Sequence, residues 1–95
     1  MEVKLEEQIE TLKALSKRGS LSILQLLKEK PKRYNELKST VSSDRTLSQR
    51  LKELERYSLI EALSIKVEGR FFIHYKITTK GEEIFKKVKE ITVTK

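Results

Sequence analysis

The chain has 95 residues, 37% hydrophobic and 37% charged, with three Gly, one Pro and no Cys, which fits one small domain spanning 1–95 and leaves no room for a second. Without cysteine there is no disulfide, thiol nucleophile, iron–sulfur cluster or Cys-type zinc site, and a single histidine, His74, excludes a His-rich metal site. No apolar run approaches the ~18 residues of a membrane span and the acidic start MEVKLEEQIE is unlike a signal peptide, so a soluble cytoplasmic protein with no membrane partner is expected, at net charge +7.

Leu5, Ile9, Leu12 and Leu15 recur at intervals of four and three, with Glu6, Glu7, Glu10 and Lys13 off the stripe, which predicts an amphipathic helix over 2–17. Gly19-Ser20 breaks the run, and Ser20 is placed to cap a second helix by accepting a backbone N–H. That helix, 21–30, is apolar on most sides through Leu21, Ile23, Leu24, Leu26 and Leu27, and is expected at the centre of the core. Pro31 ends it, because proline donates no hydrogen bond and restricts the residue before it. A short helix is predicted over 34–40 with Leu37 inward, then a tight turn at Val41-Ser42-Ser43. Ser43 is a suitable N-cap for a helix over 44–57, with Asp44 near the positive end of its dipole and Leu47, Leu51 and Leu54 inward.

After Ser58 the hydrophobic period changes from 3.6 to 2. Leu63, Ile65 and Val67 alternate on one run, and Phe71, Ile73, Tyr75 and Ile77 on the next, with Glu68-Gly69 between them. This predicts a two-stranded hairpin whose apolar residues face inward. Phe72 and His74 fall on the other face of the second strand, with His74 expected at the surface or in a dimer contact. Thr78 then caps a last helix over 79–92, striped by Ile84, Val88 and Ile91 and widened by Phe85. A short turn joining two helices, followed by a basic hairpin, is the layout of a winged helix-turn-helix. The expected fold class is α+β and mainly helical, with a winged-helix core over 20–78.

The charge is unevenly spread. Residues 1–10 hold one Lys against four Glu, residues 28–57 nine Lys/Arg against five acids, and residues 64–80 four Lys/Arg against Glu68. A polyanion partner fits that partition, and a solvated Lys/Glu-rich surface is the plainer alternative. With Leu47 at zero and about 100° per residue, Arg45, Gln49, Lys52 and Arg56 lie at roughly 140–200°, opposite the leucines, with Ser48 on the shoulder. Arg can pair bidentately with guanine, Gln with adenine and Ser with either. Arg45, Thr46, Ser48 and Gln49 are therefore candidate DNA-contacting residues, and Arg50, Lys52 and Arg56 candidate phosphate contacts. Arg70 at the hairpin tip, with Lys66 and Lys76 beside it, is placed to reach the backbone or minor groove. Lys32 and Arg33 are placed to meet phosphate. No phosphate loop, nucleophile elbow or cluster with ligand spacing points to an enzyme, a cofactor or a metal.

Four segments resemble the winged-helix transcription regulators of the HxlR type, within the wider MarR/ArsR-like group. They are Pro31-Lys32-Arg33-Tyr34-Asn35-Glu36-Leu37, Arg45 through Glu55, Leu59-Ile60, and Tyr75-Lys76-Ile77-Thr78-Thr79-Lys80-Gly81. The resemblance spans about 18–90 and implies a DNA-binding regulator, usually a homodimer built on its terminal helices. The chain departs from the family pattern in lacking its N-terminal Cys, so a thiol redox switch is absent, and in carrying Ser58 where a Gly generally precedes Leu-Ile.

The terminal stripes lie outside the winged-helix core, and soluble monomers seldom leave such patches open. Leu5, Ile9 and Leu12 of the first helix (1–17), with Ile84, Phe85, Val88 and Ile91 of the last (79–92), are therefore the expected dimer interface. The sequence reading is a homodimeric, sequence-specific regulator on pseudo-palindromic double-stranded DNA. A sequence-tolerant architectural DNA binder and a protein-interaction module are the alternatives. A small-molecule effector is left open, with no residues assigned to one.

Overall fold

The computed structural model describes residues 4–92, and for Thr92 only its place in the last helix. The elements run α1 (Leu5–Ser16), α2 (Ser20–Glu29), β1 (Lys32–Arg33), a 3-10 helix (Tyr34–Thr40), α3 (Asp44–Arg56), β2 (Ile60–Val67), β3 (Arg70–Ile77) and α4 (Thr79–Thr92). The architecture is mainly helical, with one small antiparallel sheet in the order β1-β3-β2. Residues 2 and 3 of the predicted first helix lie outside the described residues.

The core gathers residues from every helix. Ile23, Leu24 and Leu27 of α2 are buried, as are Leu37, Leu47, Leu51, Leu54, Leu59 and Phe85. Each leucine or isoleucine side chain fully removed from water stabilises the fold by about 1.5–3 kcal/mol. Leu15 joins this core from α1, whereas Leu5, Ile9 and Leu12 stay exposed.

The junction of α1 and α2 differs from the cap expected at Ser20. Gly19 is the N-cap, at φ 91°, and Ser20 is the first helical residue, buried, with its hydroxyl donating to the Ala14 carbonyl at 2.7 Å. The left-handed backbone suits glycine, and a Cβ there would collide with the Val41 side chain. Ser20 thus joins two helices and leaves the first turn of α2 without a side-chain cap. Ser43 does cap α3, its hydroxyl accepting from Thr46 N at 3.1 Å.

The far end of α3 closes with a Schellman pair: Ser58 N donates to Glu55 O and Leu59 N to Leu54 O, both at 2.9 Å. Ser58 takes φ 62° to do so, a conformation that favours glycine. The next positive-φ pair, Glu68 at 51° and Gly69 at 83°, makes the hairpin turn.

Two corrections concern the sheet. It has three strands, because Lys32 and Arg33 pair with Tyr75 and His74. In addition, the two apolar alternations occupy opposite faces: Leu63 stands opposite His74 and Ile65 opposite Phe72, while Ile73 pairs with Ser64 and Phe71 with Lys66. Only the base of the Phe71–Ile77 stripe reaches the core. Ile77 is buried and Tyr75 half-buried, whereas Ile73 is 55% and Phe71 66% exposed. His74 is not on the surface. It is 8% exposed, on the face shared with Leu63 and Arg33, with Nδ1–H donating to the Phe72 carbonyl at 3.0 Å.

Candidate nucleic-acid interface

The buried leucines of α3 fix its rotation, and its polar side faces away from the body. Arg45, Gln49, Lys52 and Arg56 are exposed, and among the described residues their side chains have no hydrogen bond or ion pair within the chain. Three cations and one amide stand together on a rigid helix without internal partners. That arrangement suits a partner that supplies acceptors and negative charge.

Other residues grouped with them on sequence have internal duties. Thr46 sits in the α3 cap, its hydroxyl accepting from Ser43 Oγ at 3.0 Å. Ser48 is half-buried and donates to the Tyr34 hydroxyl at 3.1 Å, and Tyr34 in turn donates to the Asp44 carbonyl at 2.9 Å. Arg50 points away from the polar face and is not available as a phosphate contact in this conformation. Its side chain is 14% exposed, donating from Nε to the Arg18 carbonyl and from Nη1 to Glu53, each at 3.1 Å. Lys17 pairs with the same Glu53 at 2.9 Å, so an ion network ties α1 and the α1–α2 turn to α3.

The strand β1 brings Lys32 and Arg33 together at the sheet edge, already engaged. Lys32 Nζ pairs with Glu29 at 3.4 Å and its side chain is 13% exposed. The Arg33 guanidinium lies 4.4 Å from the Phe72 ring centroid, a cation–π contact across the sheet. Arg33 N donates to Glu36 Oε1 at 2.8 Å. That hydrogen bond holds the Glu36 carboxyl below the usual carboxylate range, helped by the charges of Lys32, Lys30 and Arg33 and opposed by slight burial.

The wing distributes its cations over both faces. Lys66 pairs with Phe71, Arg70 with Val67 and Lys76 with Glu61. Lys66 therefore stands on one face of the hairpin, and Arg70 and Lys76 on the other. All three are exposed.

At the chain ends, Leu5, Ile9, Leu12 and Ile91 are exposed, at 66%, 41%, 61% and 80%. Between α1 and α4 runs a groove of about 480 Å³ whose apolar lining includes Leu12, Leu15, Ile84, Val88 and Ile91. Phe85 does not belong to that exposed set. It is 3% exposed and packs into the core. Among the described residues no group of three metal-ligating side chains occurs, and no helix is long and apolar enough to cross a membrane.

The residues that sequence reasoning missed are Tyr34, Arg18 and Glu53, which position α3 without touching its outer face. The Tyr34 hydroxyl bonds to Asp44 and Ser48, 10 and 14 residues along the chain, so nothing local in the sequence signals it.

The chain resembles the reduced form of YodB, a transcriptional regulator from B. subtilis, at 26% identity over 94% of this chain and 88% of that one, with a TM-score of 0.78. It resembles the transcriptional repressor BigR from Xylella fastidiosa at 25% identity over 92% and 84%, with a TM-score of 0.69. A MarR-type regulator from Enterococcus faecalis V583 shares the fold at 23% identity, over 96% and 84%, with a TM-score of 0.76. Comparison with curated proteins returned no match. These structural neighbours are transcriptional regulators. The HxlR-like helix-turn-helix model matches residues 14–93, and the chain belongs to that family.

Proposed function

We propose that this chain is a sequence-specific, double-stranded DNA-binding transcription regulator that acts as a homodimer. The observation that carries the reading is the outer face of α3, where Arg45, Gln49, Lys52 and Arg56 are exposed and unpartnered within the described chain. Arg45 and Gln49, in the first two turns, take the base edges of the major groove, and Lys52 and Arg56 take phosphates. Thr46 and Ser48 orient that face from its margin, and Arg50 holds the helix down. Lys32 and Arg33 steady the wing at its base, while Arg70, Lys66 and Lys76 supply positive charge along it. No cofactor is required for this activity.

The second copy covers the apolar groove between α1 and α4, burying Leu5, Ile9, Leu12 and Ile91 with the half-exposed Ile84 and Val88. A two-fold mate presents two α3 helices to half-sites about 10 bp or a multiple apart, so the target is pseudo-palindromic. Such a protein works in the cytoplasm, where its DNA is.

Selection from random double-stranded DNA followed by alanine substitution tests this reading. Gln49→Ala is expected to relax base preference at one position of each half-site at a cost of about 1–3 kcal/mol. Selection that yields no enriched sequence would leave sequence-tolerant binding, and no retention on duplex at low salt would leave a protein-interaction module.

A further inference from the structure

We infer that Phe71 and Ile73 form a non-ionic contact surface on the wing that packs against the sugar wall of the DNA minor groove beside the site read by α3. The inference rests on the DNA-binding reading above and adds a contact of a different kind. Phe71 and Ile73 are 66% and 55% exposed on β3. Their cross-strand partners are Lys66 and Ser64, and the same face carries Ile60 and Ile77 at its base. Those two are buried in the core that α3 also joins. One face of the hairpin thus begins under the domain and continues outward beyond it, apolar along its β3 side. The fold gains little from a large side chain left two-thirds exposed to solvent, so a solvated strand would hold as well with threonine here.

The charges around the pair choose the occupant. Lys66 Nζ lies 5.7 Å from the centroid of the Phe71 ring, and Arg70 is the next residue toward the tip, with Glu68 the only acid of the turn. A second copy of the same wing would bring like charges together. A minor groove offers one phosphate rim for Lys66 and, next to it, an apolar deoxyribose wall for the ring and the branched side chain on the same face, while Arg70 on the other face of the hairpin meets the opposite rim. The ammonium beside the ring and the ring itself then meet one rim and the wall next to it.

The test uses the full chain and the tightest duplex recovered by selection from random sequence. Phe71→Ser should weaken binding about tenfold, the scale of losing part of one aromatic contact, while the slope of log affinity against log salt stays unchanged. Phe71→Leu should restore most of that loss, and Lys66→Ala should instead reduce the slope by about one. Hydroxyl-radical protection of the minor groove flanking each half-site should fade in Phe71→Ser alone. Far-ultraviolet dichroism confirms that the exposed substitution leaves the fold intact. Equal affinity of Phe71→Ser and wild type overturns the inference, as does a shift in oligomeric state that accounts for the loss. Retention of the wild type on duplex is read separately, so a failure of DNA binding itself is distinguished from a failure of this contact.

Discussion

The Tyr34 hydroxyl accepts from Ser48 at 3.1 Å while donating to the Asp44 carbonyl at 2.9 Å, so one phenol fixes both the start and the second turn of α3. It does so from the 3-10 helix, the first half of the helix-turn-helix. On the proposed function, α3 discriminates bases only if it is held in one orientation, and these hydrogen bonds are part of that restraint. Tyr34→Phe keeps the packing and removes the hydrogen bonds. Chemical denaturation should show a loss of about 0.5–1.5 kcal/mol, and discrimination between selected and random DNA should fall while the salt slope stays the same. An unchanged discrimination ratio would remove Tyr34 from the positioning role.

Arg50 gives a sharper separation between holding and touching. Its guanidinium is bound to the Arg18 carbonyl and Glu53 and its side chain is 14% exposed. Arg50→Ala should therefore destabilise the fold by about 1–3 kcal/mol, the scale of losing charge-assisted bonds in a partly buried place. It should leave the salt slope of DNA binding unaltered. Arg56→Ala should do the reverse, with near-normal stability and a slope lower by about one. If Arg50→Ala lowers the slope and spares stability, the side chain leaves its internal partners to meet phosphate.

Ser58 is the natural place to gain stability. It holds φ 62° at the αL position that ends α3, and its backbone completes the Schellman pair. Glycine occupies that conformation without a Cβ penalty, so Ser58→Gly should raise the unfolding free energy by about 0.5–1 kcal/mol. A thermal midpoint that falls would show that the serine backbone is unstrained.

Acid should loosen the start of the helix-turn-helix through Glu36. Its carboxyl is held below the ordinary range by the Arg33 N–H and then by nearby cations. A carboxyl with a lowered folded-state pKa adds stability that is present above its unfolded value and lost as pH falls through the folded one. The stability difference between wild type and Glu36→Ala should therefore narrow as pH drops from neutral through the carboxylate range. A constant difference across that range would show that the charged form is not what stabilises the cap.

The apolar groove between α1 and α4 makes a prediction about assembly. Leu12→Glu places a charge on an exposed apolar face, so it should leave the monomer folded and convert a dimer to monomers in sedimentation. Wild type that already sediments as a monomer would contradict the two-fold arrangement.

The helices were legible because a stripe such as Leu47, Leu51 and Leu54 is a local, periodic signal that survives without tertiary knowledge. The outer face of α3 came with it, since the residues opposite a buried stripe are fixed by the same geometry. Arg50 lies only about 60° from Leu47 on the wheel; at that edge a long side chain either turns to solvent or runs along the core, and here it runs to the Arg18 carbonyl and Glu53. Its acceptor, the Arg18 carbonyl, is 32 residues away in the chain, beyond any local pattern. The hairpin faces were, by contrast, readable. A two-residue turn at Glu68-Gly69 pairs odd-numbered residues with even-numbered ones, so Leu63 and Ile65 had to share a face with His74 and Phe72. Counting through the turn would have separated the two stripes and moved His74 inside. The two-residue β1 left no periodicity to find, and Phe85 could be assigned inward only once α4 was seen lying against the core.

Whether the outer face of α3 reads DNA sequence is decided by the ratio of affinities for the selected duplex and for random duplex at physiological salt. A face that reads sequence gives a ratio of ~10³ or more for the wild type, collapsing toward one when Arg45 and Gln49 are both replaced by alanine. A wild-type ratio near one, or a high ratio that survives the double replacement, would contradict sequence reading by that face.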